Sequence, residues 1–191
     1  MDKKAQSTLV NMFLSLTAIA IVAAAALALV SAITAEPIAL VQKAKTEAAV
    51  KAVVPIFETL EAVDVDGTVC SKALDANGQV VGVAIPASSE KGFGGRLELM
   101  IGFDAVGNVA GYQILATSET PGLGAKAAQW FQKDGKGNVI GMNPSTPLQV
   151  KKDGGQVDAI SGSTITSRAF CDAVNSAYSM FEKIQKGDNK Q

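Results

Sequence analysis

The feature that most constrains this chain is an apolar run near its amino terminus. Residues 12–33 read MFLSLTAIAIVAAAALALVSAI and include no charged residue. As an α-helix, a run of this length would extend about 33 Å, close to the thickness of the hydrocarbon core of a bilayer. The run therefore predicts a transmembrane helix, followed by enough chain for one compact domain.

A cleaved signal peptide is the competing interpretation, because Lys3 and Lys4 precede the run and residues 33–35 loosely resemble a small-residue cleavage site. We favour an uncleaved anchor. The apolar region of a signal peptide usually has about 7–15 residues, and Ile33 stands where a cleavage site requires a small side chain.

The charges beside the run do not settle its orientation, since lysines flank it on both sides. The sequence also does not decide what surrounds this helix in the membrane. The helix either packs against partner helices through a face of small residues or contacts membrane lipid alone. The small residues of that face include Ala23, Ala24, Ala25, Ala26 and Ala28.

Composition restricts the chemistry that the side chains can supply. The chain has no histidine, which excludes Ser-His-Asp and Cys-His catalytic pairs and histidine-ligated zinc or haem. Cys70 and Cys171 form no CxxC motif, so a zinc ribbon or an iron-sulfur cluster is unsupported. A net charge of −1 gives no electrostatic basis for binding nucleic acid. The chemistry must therefore come from another source.

Two pairs of short apolar runs predict antiparallel hairpins. Runs 69–74 and 79–85 flank Asp75-Ala76-Asn77-Gly78, whose Asn-Gly step is a strong hairpin signal. Runs 97–103 and 109–115 flank a similar turn. We expect an α+β fold in which these hairpins are flanked by helices.

Three segments outside the hairpins have the apolar spacing of helices. Residues 43–60 predict a juxtamembrane helix that Pro55 kinks or divides, and residues 125–131 predict a short helix. A loop is expected over residues 133–147. The last helix is amphipathic, and its apolar face is formed by Phe170, Val174, Ala177, Tyr178, Phe181 and Ile184.

Three polar or glycine-rich segments are candidates for a binding site. They are Lys91-Gly92-Phe93-Gly94-Gly95, Glu119-Thr120-Pro121-Gly122-Leu123-Gly124 and Asp158-Ala159-Ile160-Ser161-Gly162-Ser163-Thr164. Taken singly, each has an ordinary structural explanation: a flexible connection, a turn before a helix and a group of N-cap hydroxyls.

In this order, behind an apolar amino-terminal run, the three segments resemble the FMN-binding domain family of membrane redox complexes. The family includes subunits of Rnf ferredoxin:NAD oxidoreductases and of sodium-pumping NADH:quinone oxidoreductases, and the moderate chain length favours the Rnf members. The most specific element is Ser161-Gly162-Ser163-Thr164. It is similar to the family's SGAT sequence, whose threonine carries FMN through a phosphoester, so the resemblance implies covalent FMN on Thr164. Ser163 replaces the usual alanine and is a second candidate acceptor.

The resemblance also implies how the cofactor is attached and which residues surround it. A separate flavin transferase, using FAD and magnesium, would install the FMN. Gly162 would allow close approach to the backbone, and Asp158 would orient the acceptor loop. No catalytic side chain and no metal ligand is predicted, and Tyr112, Trp130 and Phe131 are assigned to the core. The other expected FMN neighbours are Ser161, Ser163, Glu119, Thr120, Gly122, Leu123 and Gly124.

As a member of this family, the chain would be an electron relay in a membrane-bound, ion-translocating Rnf complex, with the other Rnf subunits as partners. Expected regions are a short cytoplasmic terminus (1–11), the transmembrane helix (12–33), a juxtamembrane helical segment (34–65) and the FMN-binding domain (66–191). The domain would lie on the extracytoplasmic side of the inner cell membrane. Covalent attachment suits that location, because a dissociable cofactor would be lost there by mass action.

Two alternatives remain from the sequence. One is an extracytoplasmic flavoprotein subunit of another membrane reductase. The other is a cofactor-free, pseudopilin-like structural protein whose apolar helix drives assembly. The second alternative requires an acidic residue near the start of that helix, and residues 8–33 contain none.

Overall fold

The computed structural model describes residues 9–54 and 57–188. The chain divides into two compact units, residues 1–44 and 45–191. The first unit is helical where it is described, and the second contains the antiparallel sheet, the carboxyl-terminal helix and the candidate site.

Helix α1 (Leu9–Val53) contains the apolar run. Its segment Val10–Ala35 has a mean hydropathy of 2.6 and no buried residue, and it is long enough to cross a membrane. The hydroxyls of Ser15 and Thr34 donate to the helix carbonyls of Met12 and Val30 at 3.0 and 2.8 Å. These polar groups are therefore satisfied within the helix, as an apolar environment requires.

The helical segment expected over residues 34–65 is shorter in the structure. Helix α1 ends at Val53, and strand β1 (Thr59–Val65) occupies the end of that range. Pro55 and Ile56 lie outside the described residues. A proline disfavours helical backbone at the residue before it and supplies no N–H to a preceding helix, so the apolar spacing does not extend the helix beyond this point.

The sheet has five antiparallel strands in sequential order. After β1, they are β2 (Thr68–Leu74), β3 (Val80–Gly92), β4 (Gly95–Asp104) and β5 (Val109–Thr117). Both predicted hairpins are confirmed. An aspartate fixes each connecting turn: Oδ1 of Asp75 accepts the amides of Asn77 and Gln79, and Oδ1 of Asp104 accepts those of Val106 and Asn108.

The two faces of the sheet are covered differently. Helix α3 (Thr164–Asp188) packs on one face, where Phe170 stacks on Phe131 with ring centroids 4.1 Å apart. Side chains of β3 and β4 alternate between the faces, and on the opposite face Val53 of α1 lies against Met100. A Cβ at Gly102 would collide with the carbonyl oxygen of Val53, so this close helix contact requires glycine.

The chain between β5 and α3 has little regular structure. A 3₁₀ turn (Gly124–Lys126) leads into the short helix α2 (Ala127–Trp130), which confirms the predicted short helix. A second 3₁₀ turn covers Lys151–Asp153. The core assignments of Tyr112 and Phe131 are confirmed, because both are buried, and Trp130 packs partly buried against the same core.

Candidate functional site

A cavity of about 330 Å³ lies at the start of α3. Three separate parts of the chain form it: the β3–β4 turn, the segment between β5 and α2, and the first residues of α3 with those just before it. Its volume is in the range of small-molecule and cofactor sites. It is lined by Phe93, Glu119, Thr120, Leu123, Gly124, Gly162, Ser163, Thr164, Ile165 and Thr166.

The fold thus brings most of the sequence-predicted site residues to one place. Three of them are not among the lining residues: Ser161, Gly122 and Asp158. Gly122 has a φ of +77°, which suits glycine in the turn before α2. The Asp158 carboxylate does not line the cavity; its Oδ2 accepts a hydrogen bond from Nζ of Lys151 at 2.7 Å.

Thr164 is the first residue of α3, and its side chain is half-buried at the cavity. The amides in the first turn of a helix have no intrahelical acceptor, and the helix dipole is positive at this end. Nζ of Lys152 donates a hydrogen bond to Oγ1 of Thr164 at 3.2 Å. The Thr164 hydroxyl therefore lies in a positive electrostatic environment that suits an anion.

The neighbouring hydroxyl residue, Ser163, is only 8% exposed. Ser167 fixes the loop on which it lies: its Oγ donates to the Ser163 carbonyl and accepts the Ile160 amide, both at 2.9 Å. Ser163 is therefore more buried than Thr164, and the loop on which it lies is fixed by hydrogen bonds.

Ion pairs fasten the 3₁₀ turn that contains Lys152. Arg168, one helical turn after Thr164, makes a bidentate contact with Asp153, both bonds at 2.7 Å. This guanidinium lowers the pKa of the Asp153 carboxyl below its ordinary value. The turn is tied to α3 by this pair, and the ion pair of Lys151 with Asp158 ties it to the loop that precedes α3.

The buried side of the cavity has two polar atoms without partners. Oε1 of Glu119 and Oγ1 of Thr166 make no hydrogen bond within the described residues, and their side chains are 7% and 0% exposed. Leaving such a group unsatisfied costs about 1–3 kcal/mol. A Cβ at Gly124 would collide with the Glu119 carboxylate and lie 2.8 Å from Oγ1 of Thr166, so glycine keeps this space open.

The cavity also has an apolar rim. Phe93, Leu123 and Ile165 line it with 71%, 45% and 48% of their surface exposed. Large apolar side chains that converge on a cavity and remain exposed are typical of a ligand-binding surface. Together with the unpartnered polar atoms, the rim suits a ligand that has both apolar surface and hydrogen-bonding groups.

The β3–β4 turn is held in place by α3. Asp172 of α3 accepts hydrogen bonds from Oγ of Ser89 at 2.8 Å and from Nζ of Lys91 at 2.7 Å. The adjacent lysine lowers the pKa of the Asp172 carboxyl. Gly94 lies directly on the Ser118 carbonyl, and a Cβ there would collide with it. These contacts position Phe93 at the cavity.

Four residues of this region are not among the sequence-predicted site residues: Phe93, Ile165, Thr166 and Lys152. Phe93 lies within the glycine-rich segment that is already a candidate from the sequence. Ile165 and Thr166 follow the acceptor motif directly and could have been included as the first turn of its helix. Lys152 had no local signal, because it precedes Thr164 by 12 positions and reaches it through the tertiary fold.

The FMN-binding domain family matches residues 92–179, which include all three loop segments except Lys91. The G subunit of the Na(+)-translocating ferredoxin:NAD(+) oxidoreductase complex of Acetobacterium woodii is 31% identical over 193 residues, covering 91% of each chain. The G subunit of the ion-translocating oxidoreductase complex of Methanosarcina acetivorans is 34% identical over 176 residues, covering 87% of this chain and 91% of that one.

The corresponding G subunits of Shewanella species align over a shorter part, and this chain spans 63% of the S. oneidensis protein and 52% of the S. piezotolerans protein. Among solved structures, the crystal structure of Shewanella oneidensis NqrC matches 70% of this chain and 72% of that one, at 20% identity and a TM-score of 0.44.

Proposed function

The chain belongs to the family of G subunits of ion-translocating oxidoreductase complexes, and from this premise we propose that it is the electron-relay subunit of an Rnf complex with FMN bound covalently to Thr164. The relay would operate between ferredoxin and NAD, the substrates in the name of the Acetobacterium complex. When bound, FMN would supply the one-electron chemistry that the side chains of this chain lack.

The observation that carries this proposal is the position of Thr164. Its hydroxyl is at the cavity, at the positive end of a 25-residue helix and within hydrogen-bonding distance of Lys152. A phosphoester formed there would meet free helix amides and a cation. Ser163 is more deeply held, which favours Thr164 as the acceptor.

The cavity also fits the flavin. Glu119 and Thr166 would hold the N–H, hydroxyl or carbonyl groups of the cofactor, which would satisfy their buried oxygen atoms. Phe93, Leu123 and Ile165 would cover apolar ring surface and exclude water from it. Within the chain, the site residues bind and orient the cofactor, and none of them acts as an acid or a base.

The apolar helix supports the proposed location. Val10–Ala35 contains no ionisable side chain, so we propose that it anchors the subunit in lipid or against partner helices and does not conduct the pumped ion. We place the domain on the extracytoplasmic side of the cell membrane. A covalent cofactor is an advantage there, because it cannot be lost by dissociation.

Coexpression of the full chain with a flavin transferase tests the proposal. The wild type and Ser163→Ala should show visible flavin absorbance and the added mass of FMN, and Thr164→Ala should show neither. Ser163→Ala is the matched control, since it removes the neighbouring hydroxyl. A colourless wild-type protein of unmodified mass would instead favour a cofactor-free structural role. An adduct that persisted in Thr164→Ala would move the acceptor to Ser163.

Membership of the whole complex needs a separate measurement. Affinity purification of the tagged chain from its own membranes, in mild detergent, should recover the other Rnf subunits at a constant ratio. Recovery of a different membrane reductase would assign the domain to that enzyme and contradict the Rnf proposal, even if the flavin were present.

A further inference from the structure

We propose that Lys152 is a positioning residue for flavin attachment: it holds the Thr164 hydroxyl in place before the reaction and offsets the negative charge of the phosphoester afterwards. The inference rests on the proposed function, because it concerns the same acceptor. It assigns a role to a residue outside the acceptor motif and outside the other loop segments of the cavity.

The first support is the contact itself. Nζ of Lys152 donates to Oγ1 of Thr164 at 3.2 Å, so the ammonium occupies one lone pair of the oxygen that would form the new bond. This contact restricts the rotation of the hydroxyl. It also brings a full positive charge close to the place where the phosphorus would be attached.

The second support is the pairing of the surrounding charges. Lys151 pairs with Asp158, and Arg168 pairs with Asp153, each at 2.7 Å. Within residues 9–54 and 57–188, no carboxylate lies at ion-pair distance from Lys152, although its charge helps to lower the pKa of the adjacent Asp153 carboxyl. The three cations Lys151, Lys152 and Arg168 thus share two carboxylates, so the cluster has one positive charge in excess, and a phosphodiester would supply the matching negative charge.

The third support is the rigidity of the turn. Lys152 lies between the two residues that make these ion pairs, so the 3₁₀ turn is fastened on both sides of it. A lysine on a free loop would lose considerable conformational entropy when it bound a phosphate. Here the backbone that presents the ammonium is already fixed.

The attachment step balances with FAD as the donor. The bond between Oγ1 of Thr164 and the FMN phosphorus forms, the pyrophosphate bond of FAD breaks, AMP leaves, and the hydroxyl proton passes to a base of the transferase or to water. No electrons are transferred. Lys152 would keep the Oγ1 lone pair oriented and reduce the repulsion between the acceptor site and the incoming phosphate.

The test compares Lys152→Met with Lys152→Arg and Lys151→Met in the full chain. Purified apoprotein in detergent is incubated with FAD, Mg²⁺ and a limiting amount of flavin transferase, and the FMN-bearing fraction is followed by mass. Lys152→Met should lower the maximal initial rate about fivefold, the size expected for an exposed charged contact, with an unchanged KM for the acceptor protein. Lys152→Arg should restore most of the rate. Lys151→Met, which frees one side of the turn but keeps the Lys152 ammonium, should lose clearly less of the rate than Lys152→Met.

Salt adds a readout that a purely structural role would not change. Because the ammonium is exposed, raising the salt concentration should reduce the difference between wild type and Lys152→Met. A wild-type rate in Lys152→Met, an equal loss in Lys151→Met, or an effect confined to KM would overturn the inference and leave Thr164 as the acceptor. A wild type that accepted no flavin would instead overturn the proposed function and this inference with it.

Discussion

Nε1 of Trp130 donates a hydrogen bond to the carbonyl oxygen of Asp158 at 2.8 Å. This bond joins the end of α2 to the loop that leads into the acceptor motif, although the two residues are 28 positions apart. Gly137 fits against both groups, since a Cβ there would lie 2.5 Å from the same carbonyl and 2.7 Å from the indole ring. The indole is thus part of the framework of the acceptor loop.

Replacing this tryptophan tests that framework. Trp130→Phe should lower the free energy of unfolding by about 1–3 kcal/mol, because the partly buried Asp158 carbonyl loses its donor and packing volume is lost. Thermal melting of the full chain in detergent measures the change. Tyr178→Phe is the matched control, because the Tyr178 side chain packs against aromatic neighbours and its hydroxyl makes no hydrogen bond within the described residues. The melting temperature of this variant should not fall. An equal loss in both variants would contradict this role of Trp130.

Gly124→Ala should close the buried side of the cavity. The added Cβ would displace the Glu119 carboxylate, which lies in contact with this position, and would crowd Thr166. We expect a loss of about 1–3 kcal/mol in stability and a lower FMN content. Gly187→Ala is the control, because no atom lies within 4 Å of a Cβ there and alanine favours a helix. Normal FMN content in a folded Gly124→Ala protein would contradict this assignment of the cavity.

Gly102→Ala should disturb the packing of the end of α1 on the sheet and leave the residues that line the cavity unchanged. Its Cβ would collide with the Val53 carbonyl, so the end of α1 must move away from Met100. We expect the unfolding free energy to fall by about 1–3 kcal/mol. Circular dichroism melting measures the fall, and the FMN-bearing fraction at low temperature should remain that of the wild type. A large loss of flavin at unchanged stability would contradict the separation of the two regions.

The Asp172 contacts should make stability depend on pH in the acid range. Because Lys91 lowers the folded-state pKa below the ordinary value of 3.8, the pair stabilises the fold above that value and loses its effect as the pH falls through the folded-state pKa. At pH 7, Asp172→Asn should cost less than about 1 kcal/mol, since the pair is exposed. Denaturant titrations should show this difference vanishing at low pH. If the difference in unfolding free energy between wild type and Asp172→Asn grew as the pH fell, the expected direction of the pH dependence would be wrong.

Both cysteines should be unreactive in the folded protein. Cys70 and Cys171 are free and buried, and burial raises their thiol pKa values to about 11 and about 12. Thiolate, the reactive form, is therefore scarce at neutral pH. Maleimide should add no mass to the native protein and two adducts after unfolding. Rapid labelling of native protein would contradict their placement in the core.

The elements with a strong local signal were predicted from the sequence, because their signal is contained in neighbouring residues. Both hairpins follow from alternating apolar runs and turns, and α3 follows from its apolar face. The helix predicted over residues 43–60, with a kink or division at Pro55, was wrong at residues 59–60, which begin β1, because the apolar spacing continues past the proline. Strand β1 was missed for a related reason. It is a largely exposed edge strand, so its sequence lacks the continuous alternation of apolar and polar residues that would predict its pairing with β2.

The sequence by itself determined the apolar helix and the hairpins and singled out Ser161–Thr164 as a candidate site, because hydropathy, turn chemistry and the SGST pattern are properties of adjacent residues. Only the tertiary structure decided that Phe93, Glu119 and Thr166 share a cavity, and that Lys152 reaches Thr164. The physical reason is that such contacts depend on how the sheet and α3 pack together. Burial, unsatisfied polar atoms and charge pairing exist only once distant segments are brought within a few ångströms of each other.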